Sequence, residues 1–215
     1  PTDPIEGAMP LQLYAHPFSS YSQKVLIALY ENGTPFELLN LDPAETVSHS
    51  ADWLRHWPLA KFPVLVDGDR TVVESSIVIE HLQLAHPGPV QLIPADPRAA
   101  LDVRFMDRFF DLHVTAPVQH AVNAALTGNA ERKAEGVAWA TEKLEKAYAW
   151  LEGMWAGRTW AAGESFSLAD CAAAPSLFYA DWTHPIAATY PQLRAYRARL
   201  LARPSFAREI GRAHV

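Results

Sequence analysis

The chain has 215 residues and a mass of 23.8 kDa, enough for one large or two modest domains, and nearly half of its residues are apolar. Its 24 acidic residues against 18 lysines and arginines leave a net charge of −6, which argues against binding to a nucleic-acid backbone, since that binding depends on clustered cations. A single cysteine, Cys171, excludes an intrachain disulfide and any multi-cysteine metal site.

The start, Pro1 to Met9, has no apolar periodicity and reads as a tag remnant or a loose extension. Leu11-Gln12-Leu13-Tyr14 alternates as a strand does, and from Tyr21 the positions Val25, Leu26, Leu29 and Tyr30 follow helical spacing until Asn32-Gly33 stops it. Phe36 to Leu41 is a second strand, and Ala51 to Trp57 a short helix ended by Pro58. Pro63 then opens a strand, Val64 to Val66. A residue without an N–H is tolerated at a strand's beginning, and the bond before it is where a cis peptide is cheapest. Asp67-Gly68-Asp69 supplies a hairpin turn into Thr71 to Val73. Glu74-Ser75-Ser76 precedes Ile77, Ile79, Leu82 and Leu84, so that a serine opens a helix from Ser75 to about Ala85, and a helix mouth of this kind attracts a carboxylate.

The order β-α-β-α-β-β-α implies a mixed four-stranded sheet with helices packed over it, because a β-α-β unit makes its strands parallel and a hairpin makes them antiparallel. His86-Pro87-Gly88-Pro89 and the residues to Pro94 break both kinds of element and mark a linker. Beyond it the pattern is helical: Pro97 at a helix start, the stripe Phe105, Phe109, Leu112, a long segment from Glu131 to Trp155, and Leu193 to Leu201. Ser167-Leu168-Ala169-Asp170 has the form of a capping box. Cys171, followed by three alanines, reads as a core filler, and six arginines between Arg194 and Arg212 read as a solvated helix face. No segment reaches the apolar length of a membrane span and no leader pattern is present, which places the protein in the cytoplasm with no membrane partner.

This layout resembles the cytosolic glutathione transferases over residues 10 to 210. Phe62-Pro63 stands where that family has its cis-proline, Glu74-Ser75 where it has an acid-serine pair, and Phe166 to Asp170 where it has a helix-capping motif. The resemblance implies an α/β thioredoxin-like domain over residues 10–86 with the mixed four-stranded sheet, a linker over 87–96, and an all-α domain over 97–211.

The segment His16 to Leu26 is similar to the serine-type classes, of zeta, phi or theta kind, and places Ser19 at the position of the residue that activates glutathione. By itself Ser19 reads first as a helix cap; Ser20 is one register away, Ser22 is expected to face out of the site, and Tyr14 stands where tyrosine-type classes place their activating residue, though a strand tyrosine reads first as core. A thiol of pKa about 8.5 is mostly protonated at neutral pH, and a hydroxyl donating to the sulfur favours the thiolate.

The resemblance further implies that Ser75 and Glu74 hold the γ-glutamyl group, that the backbone of Phe62 ahead of Pro63 pairs with the cysteinyl unit, and that Lys61 reaches the glycyl carboxylate, with His49 as a further glycyl contact. Phe18, Tyr21, Phe109 and His113 are expected to line a pocket for a small hydrophobic electrophile. Trp57 and Phe62 replace smaller residues of the family pattern. The activity implied is conjugation of glutathione, as co-substrate, to an apolar electrophile by a homodimer needing no metal or cofactor. A zeta-like glutathione-dependent cis-trans isomerase and a non-catalytic glutathione-binding module are the alternatives.

Overall fold

The computed structural model describes residues 10–41, 49–155 and 157–213. Residues 1–9 and the side chain of Arg212 lie outside this range. β1 (Leu11–Ala15), α1 (Ser20–Asn32), β2 (Phe36–Asn40), α2 (Ser50–His56), β3 (Val64–Asp67), β4 (Arg70–Val73) and α3 (Ser75–Ala85) form the first domain. The sheet order is β2-β1-β3-β4, with β1 parallel to β2 and antiparallel to β3, and β3 antiparallel to β4. The hairpin is one residue tighter than the sequence suggested: Asp67 pairs with Arg70, and only Gly68, at φ 59°, and Asp69 turn the chain. The residue following Pro35 to Asn40 and β1 share the register Leu11 with Phe36, so the crossover through α1 fixes the parallel pair.

From Ala85 to Pro97 the chain carries turns and bends only, yet it is pinned. The Asn32 amide at the end of α1 donates to Val90 O at 3.1 Å and accepts from Val90 N at 2.7 Å, and Gln83 makes the same pair of bonds with Ile93. Gly88 is required here because a Cβ would stand 2.5 Å from Asn32. The second domain is helical: α4 (Pro97–Phe109), α5 (Ala116–Leu126), α6 (Ala130–Met154), α7 (Leu168–Thr183), α8 (Pro191–Leu201) and α9 (Pro204–Ala213). A π-helical segment, Phe110–Thr115, joins α4 to α5; such bulges in a helix are common at functional sites.

α2 covers one face of the sheet, where Trp53 and Trp57 pack on Tyr14, Leu39, Val64 and Val66. α1 covers the other, and its far side lies against α7 and α9. Enclosed on all sides, α1 is buried from Ser22 through Leu29, including three polar residues. A buried polar group must find a partner. Gln23 donates to Pro17 O and to the Tyr179 hydroxyl, both at 2.8 Å, and Lys24 finds its partners across the domain boundary.

The C-terminal arginines are only partly the solvated face that the sequence reading gives: Arg194, Arg199 and Arg208 are exposed, while Arg197 and Arg203 are half-buried. Arg194 donates to Ile186 O at 2.9 Å, Arg197 pairs with Asp181 at 3.0 Å, and Arg203 lies over the Phe166 ring while gripping Glu31 of α1. Their guanidinium groups sit at helix junctions, where a planar, weakly hydrated cation can both stack and fork. Cys171 is fully buried, and burial pushes its thiol well above the usual range. Asp170, at the start of α7, accepts from Ser167 N and Oγ and Ala161 N at 2.9 Å, and from the Tyr196 hydroxyl at 2.6 Å.

The Glu31 clamp gives the fold an acid-sensitive joint. Burial of Glu31 opposes ionisation, but Arg203 and Ser205 outweigh it and hold the carboxyl below the ordinary glutamate value of 4.5. A folded-state value below the unfolded one means that the stabilisation is present above pH 4.5 and is lost as pH falls through the folded value. Substitution Glu31→Gln is expected to lower the melting temperature near neutral pH and to flatten its fall below pH 4.5, as measured by circular dichroism melts across the acid range.

Candidate active site

A groove of about 860 Å³ runs between the two domains. Its first wall is made by Phe62 and Pro63 at the start of β3, Glu74 and Ser75 at the start of α3, and Tyr21 in the first turn of α1. Lys61 and Trp57 stand at the same wall. The Phe62–Pro63 peptide is cis, and the loop ahead of it is fixed by the Trp53 indole N–H donating to Lys61 O at 2.9 Å. Ser75 is buried as the first residue of α3, and Ser75, Ser76 and Ile77 of that first turn, whose amides have no partner within a helix, line the groove. Glu74 adopts φ 69° and ψ 116°, a conformation that a residue with a Cβ rarely takes and that costs on the order of 1–3 kcal/mol. Strain of this kind persists where the surroundings enforce it, and here it presents the Glu74 carboxylate and the Ser75 hydroxyl side by side.

The opposite wall comes from α4, the π-helical segment and α5, with Arg104, Asp107, Arg108 and Asp111 as its charged stripe. Arg104 forks onto Glu80 of α3 with two bonds of 2.8 Å. Beneath the groove, Lys24 Nζ is 2.5 Å from Asp107 Oδ1 and 3.0 Å from Asp111 Oδ2, and donates to Ser76 Oγ at 2.9 Å, while Ser76 in turn donates to Asp107 at 2.7 Å. Lys24 is 1% exposed. Burial raises the Asp111 carboxyl, against the opposing charge of Lys24. Burial, reinforced by Asp111, pushes the Tyr21 hydroxyl up to about 12, so it stays protonated as a donor.

Six of the residues singled out from sequence, Tyr21, Lys61, Phe62, Pro63, Glu74 and Ser75, therefore share one groove. Ser19 is the N-cap of α1: its Oγ accepts the Ser22 amide at 3.2 Å, and it lies beside the groove rather than in its lining. Accepting that bond leaves its O–H free to donate. Ser22 is buried in the core, with its Oγ accepting from His16 N at 3.3 Å. Phe18 is half exposed, its ring 5.9 Å from the His16 ring, which itself stacks on Phe62 at 5.4 Å.

Two expectations are corrected, and Tyr14 takes the core place that its strand implies. Phe109 and His113 do not line the groove: Phe109 stacks on Trp150 of α6 at 4.3 Å and on His113 at 5.0 Å. Phe105 and Phe109 sit one residue, about 100°, round α4 from Arg104 and Arg108, and it is the latter pair that lines the groove. Tyr14 points away from the groove, donating to Asp52 on the α2 side of the sheet; burial and then that contact raise its hydroxyl. His49 packs edge-on against Tyr14 at 6.5 Å and is not in the groove lining.

Sequence reasoning overlooked Lys24, Asp107 and Asp111. The signal was present: a lysine three residues from Tyr21 and four from Ala28 on an apolar helix stripe, and an Arg-Asp-Arg-Asp series at spacings of three and four across 104–111.

The description "Glutathione S-transferase, N-terminal domain" matches residues 13–90, and "Glutathione S-transferase, C-terminal domain" matches residues 105–204. The chain belongs to the glutathione S-transferase family. Glutathione S-transferase 3 of Zea mays is 30% identical, covering 94% of this chain and 93% of its own. A stringent starvation protein A homolog of Haemophilus ducreyi is 28% identical over 94% and 90% of the two chains. A crystal structure of a glutathione S-transferase of Methylobacterium radiotolerans in complex with glutathione sulfonate superposes with a TM-score of 0.75 at 32% identity, covering 94% of this chain and 95% of that one. The family assignment makes the chain a transferase of the thioredoxin-like plus all-helical architecture. Among the described residues no helix is long and apolar enough to cross a membrane.

The buried network should be costly to break. Lys24→Met leaves Asp107 without a cation and Asp111 with Arg108 alone, at 3.3 Å, and a loss of about 3–5 kcal/mol in urea-unfolding stability is expected, partly recovered by adding Asp107→Asn and Asp111→Asn.

Proposed function

We propose that this protein binds glutathione in the interdomain groove and transfers its thiolate to a small apolar electrophile. One observation carries the reading: the cis-proline edge of β3 and the Glu74-Ser75 mouth of α3 face the same groove. In this reading the γ-glutamyl carboxylate is received by the Ser75 hydroxyl and the free amides of α3, with its ammonium beside Glu74. The backbone of Phe62 pairs with the cysteinyl unit as an added strand residue, and Lys61 meets the glycyl carboxylate. Family membership and the relative solved with glutathione sulfonate support this assignment.

The thiol is then directed to the N-terminus of α1. The Ser19 hydroxyl, already oriented by the Ser22 amide, donates to the sulfur, and the helix mouth adds its partial positive charge. A hydrogen bond to a charged group contributes roughly 1.5–3 kcal/mol, which corresponds to about 1–2 pKa units and makes the thiolate the main form at neutral pH. The thiol proton leaves to solvent, the sulfur forms a bond to the electrophilic carbon, and the leaving group departs with its electron pair. Tyr21 supplies the aromatic contact for the electrophile within the groove, Phe18 being outside its lining, and no metal or redox cofactor takes part. The reducing cytoplasm suits a chain whose single thiol is sealed in the core.

A second reading, a glutathione-binding module without turnover, is favoured by the position of Ser19 outside the groove lining. Glutathione titration and turnover of a chloronitrobenzene separate the two. For the first reading, Ser19→Ala is expected to retain binding, to raise the apparent pKa of bound thiol by about 1–2 units, and to lower kcat/KM roughly 10–100-fold near neutral pH. Unchanged thiol pKa and full activity in that variant would remove Ser19 from the mechanism, and binding without turnover in the unaltered protein would establish the second reading.

The reading includes a two-fold homodimer in which the first domain of one copy meets the helices of the other. Ile77 and Leu84 on α3 and Leu101 and Phe105 on α4 are each more than half exposed, an apolar surface of the kind that marks interfaces. Sedimentation should give the dimer mass, and Leu101→Asp should shift it toward monomer without altering the far-ultraviolet circular dichroism.

A further inference from the structure

Behind the groove, at the opposite end of β3, the fold collects three side chains of metal-ligating chemistry. Asp67 ends β3, four residues and about 13 Å of extended chain from Pro63. His81 stands in α3 and His86 is its C-cap, where the interdomain segment begins. The Nε2 atoms of both imidazoles lie 2.8 Å from the same carboxylate oxygen, Asp67 Oδ2, and the three donor atoms fall within 4.8 Å of one another. The two rings meet at 67° with centroids 6.2 Å apart, so they approach the carboxylate from different directions rather than stacking. Their side chains are 11%, 35% and, for Asp67, 23% exposed, which screens the cluster without sealing it from solvent.

From this convergence we propose that Asp67, His81 and His86 form a binding site for a divalent transition-metal ion, with Zn²⁺ as the ion of choice, separate from the glutathione groove. Two imidazoles and one carboxylate are a donor set that zinc takes readily, with a fourth position left for water. Calcium and magnesium prefer oxygen donors throughout and are disfavoured. Bond lengths of about 2.0–2.2 Å to nitrogen and oxygen in tetrahedral geometry place donor atoms about 3.3–3.6 Å apart, so the present 2.8 Å contacts open by about 0.5–0.8 Å, within a cluster whose donors already lie inside 4.8 Å of one another, to admit an ion in place of the shared hydrogen bonds.

The ion acts as a clip. It joins the base of the β3–β4 hairpin to the last turn of α3 and to the first residue of the interdomain segment. Binding to the folded chain and not to the unfolded one raises the melting temperature by mass action. The proposal does not rest on the glutathione chemistry, since none of the three residues lines the groove.

The test uses the full-length chain, free of any histidine tag, stripped with chelator and dialysed. Titration with Co²⁺ should develop a visible d–d absorption that saturates at one equivalent and is displaced by Zn²⁺, and Zn²⁺ alone should raise the melting temperature. His86→Gln and Asp67→Asn should each weaken Co²⁺ binding at least about tenfold while leaving glutathione turnover and the far-ultraviolet circular dichroism of the metal-free protein unchanged. If Asp67→Asn proves unstable, His86→Gln, altering the most exposed of the three rings and carboxylates, carries the comparison. Absence of a saturable band, or equal affinity in His86→Gln and the unaltered chain, would overturn the site.

Discussion

The ammonium of Lys24, removed from water together with the carboxylates of Asp107 and Asp111, holds the two domains in one relative position and thereby makes the groove. Buried ions gain little net stability over a well-packed apolar substitute, because the desolvation cost offsets most of the attraction. What they supply is a strong penalty for misplacement. Any slide of α4 along α1 that separated Lys24 from its acids would leave Lys24 and Asp107 without an ion partner in the interior and Asp111 with Arg108 alone. Ser76, bonded to both Lys24 and Asp107, extends that constraint to α3, next in sequence to the Ser75 that opens on the groove. The Glu80–Arg104 fork and the Glu31–Arg203 clamp repeat the theme nearer the surface, each joining one element of the first domain to one of the second.

This arrangement explains why α1 is so unusual as a helix. It is enclosed between sheet and helices, so it has no solvent face on which to put polar residues, and those it carries are each assigned to a partner. Its N-terminus, in contrast, is open, and there Ser19 satisfies one amide while keeping its own proton available. The catalytic proposal and the packing thus share a cause: the residues that order the helix also aim its mouth. The aromatic stripe of α4, by comparison, is given to Trp150 and to the outer surface, which leaves the groove's helical wall charged and polar.

Chain features set by local chemistry were legible without coordinates. Gly33 at the left-handed C-cap of α1, Gly68 in the hairpin, Asp96 before Pro97, and Pro63 at the start of β3 declare the element boundaries because each answers to steric rules acting over a few residues. The order of those elements then leaves few ways to arrange the sheet, since handedness and strand pairing prune the rest. The cluster Glu74-Ser75 with Phe62-Pro63 was legible for the same reason, being two short local motifs.

What remained for the tertiary structure was every matter of rotation and long-range pairing. Whether residues 104 and 108 or 105 and 109 face the first domain depends on an azimuth that periodicity leaves open when both stripes carry large or amphipathic side chains. The arginines of α8 and α9 looked solvent-facing because charge is usually exposed, and for Arg197 and Arg203 it was the approach of Asp181, Glu31 and Phe166 from distant parts of the chain that made them half-buried joints. The meeting of Asp67 with His81 and His86 has no spacing signature at all, since a hairpin and a helix end must first be folded together. Local sequence determined which elements exist and where they begin; the placement of buried charge, decided across the domain boundary, determined which of their faces do chemistry.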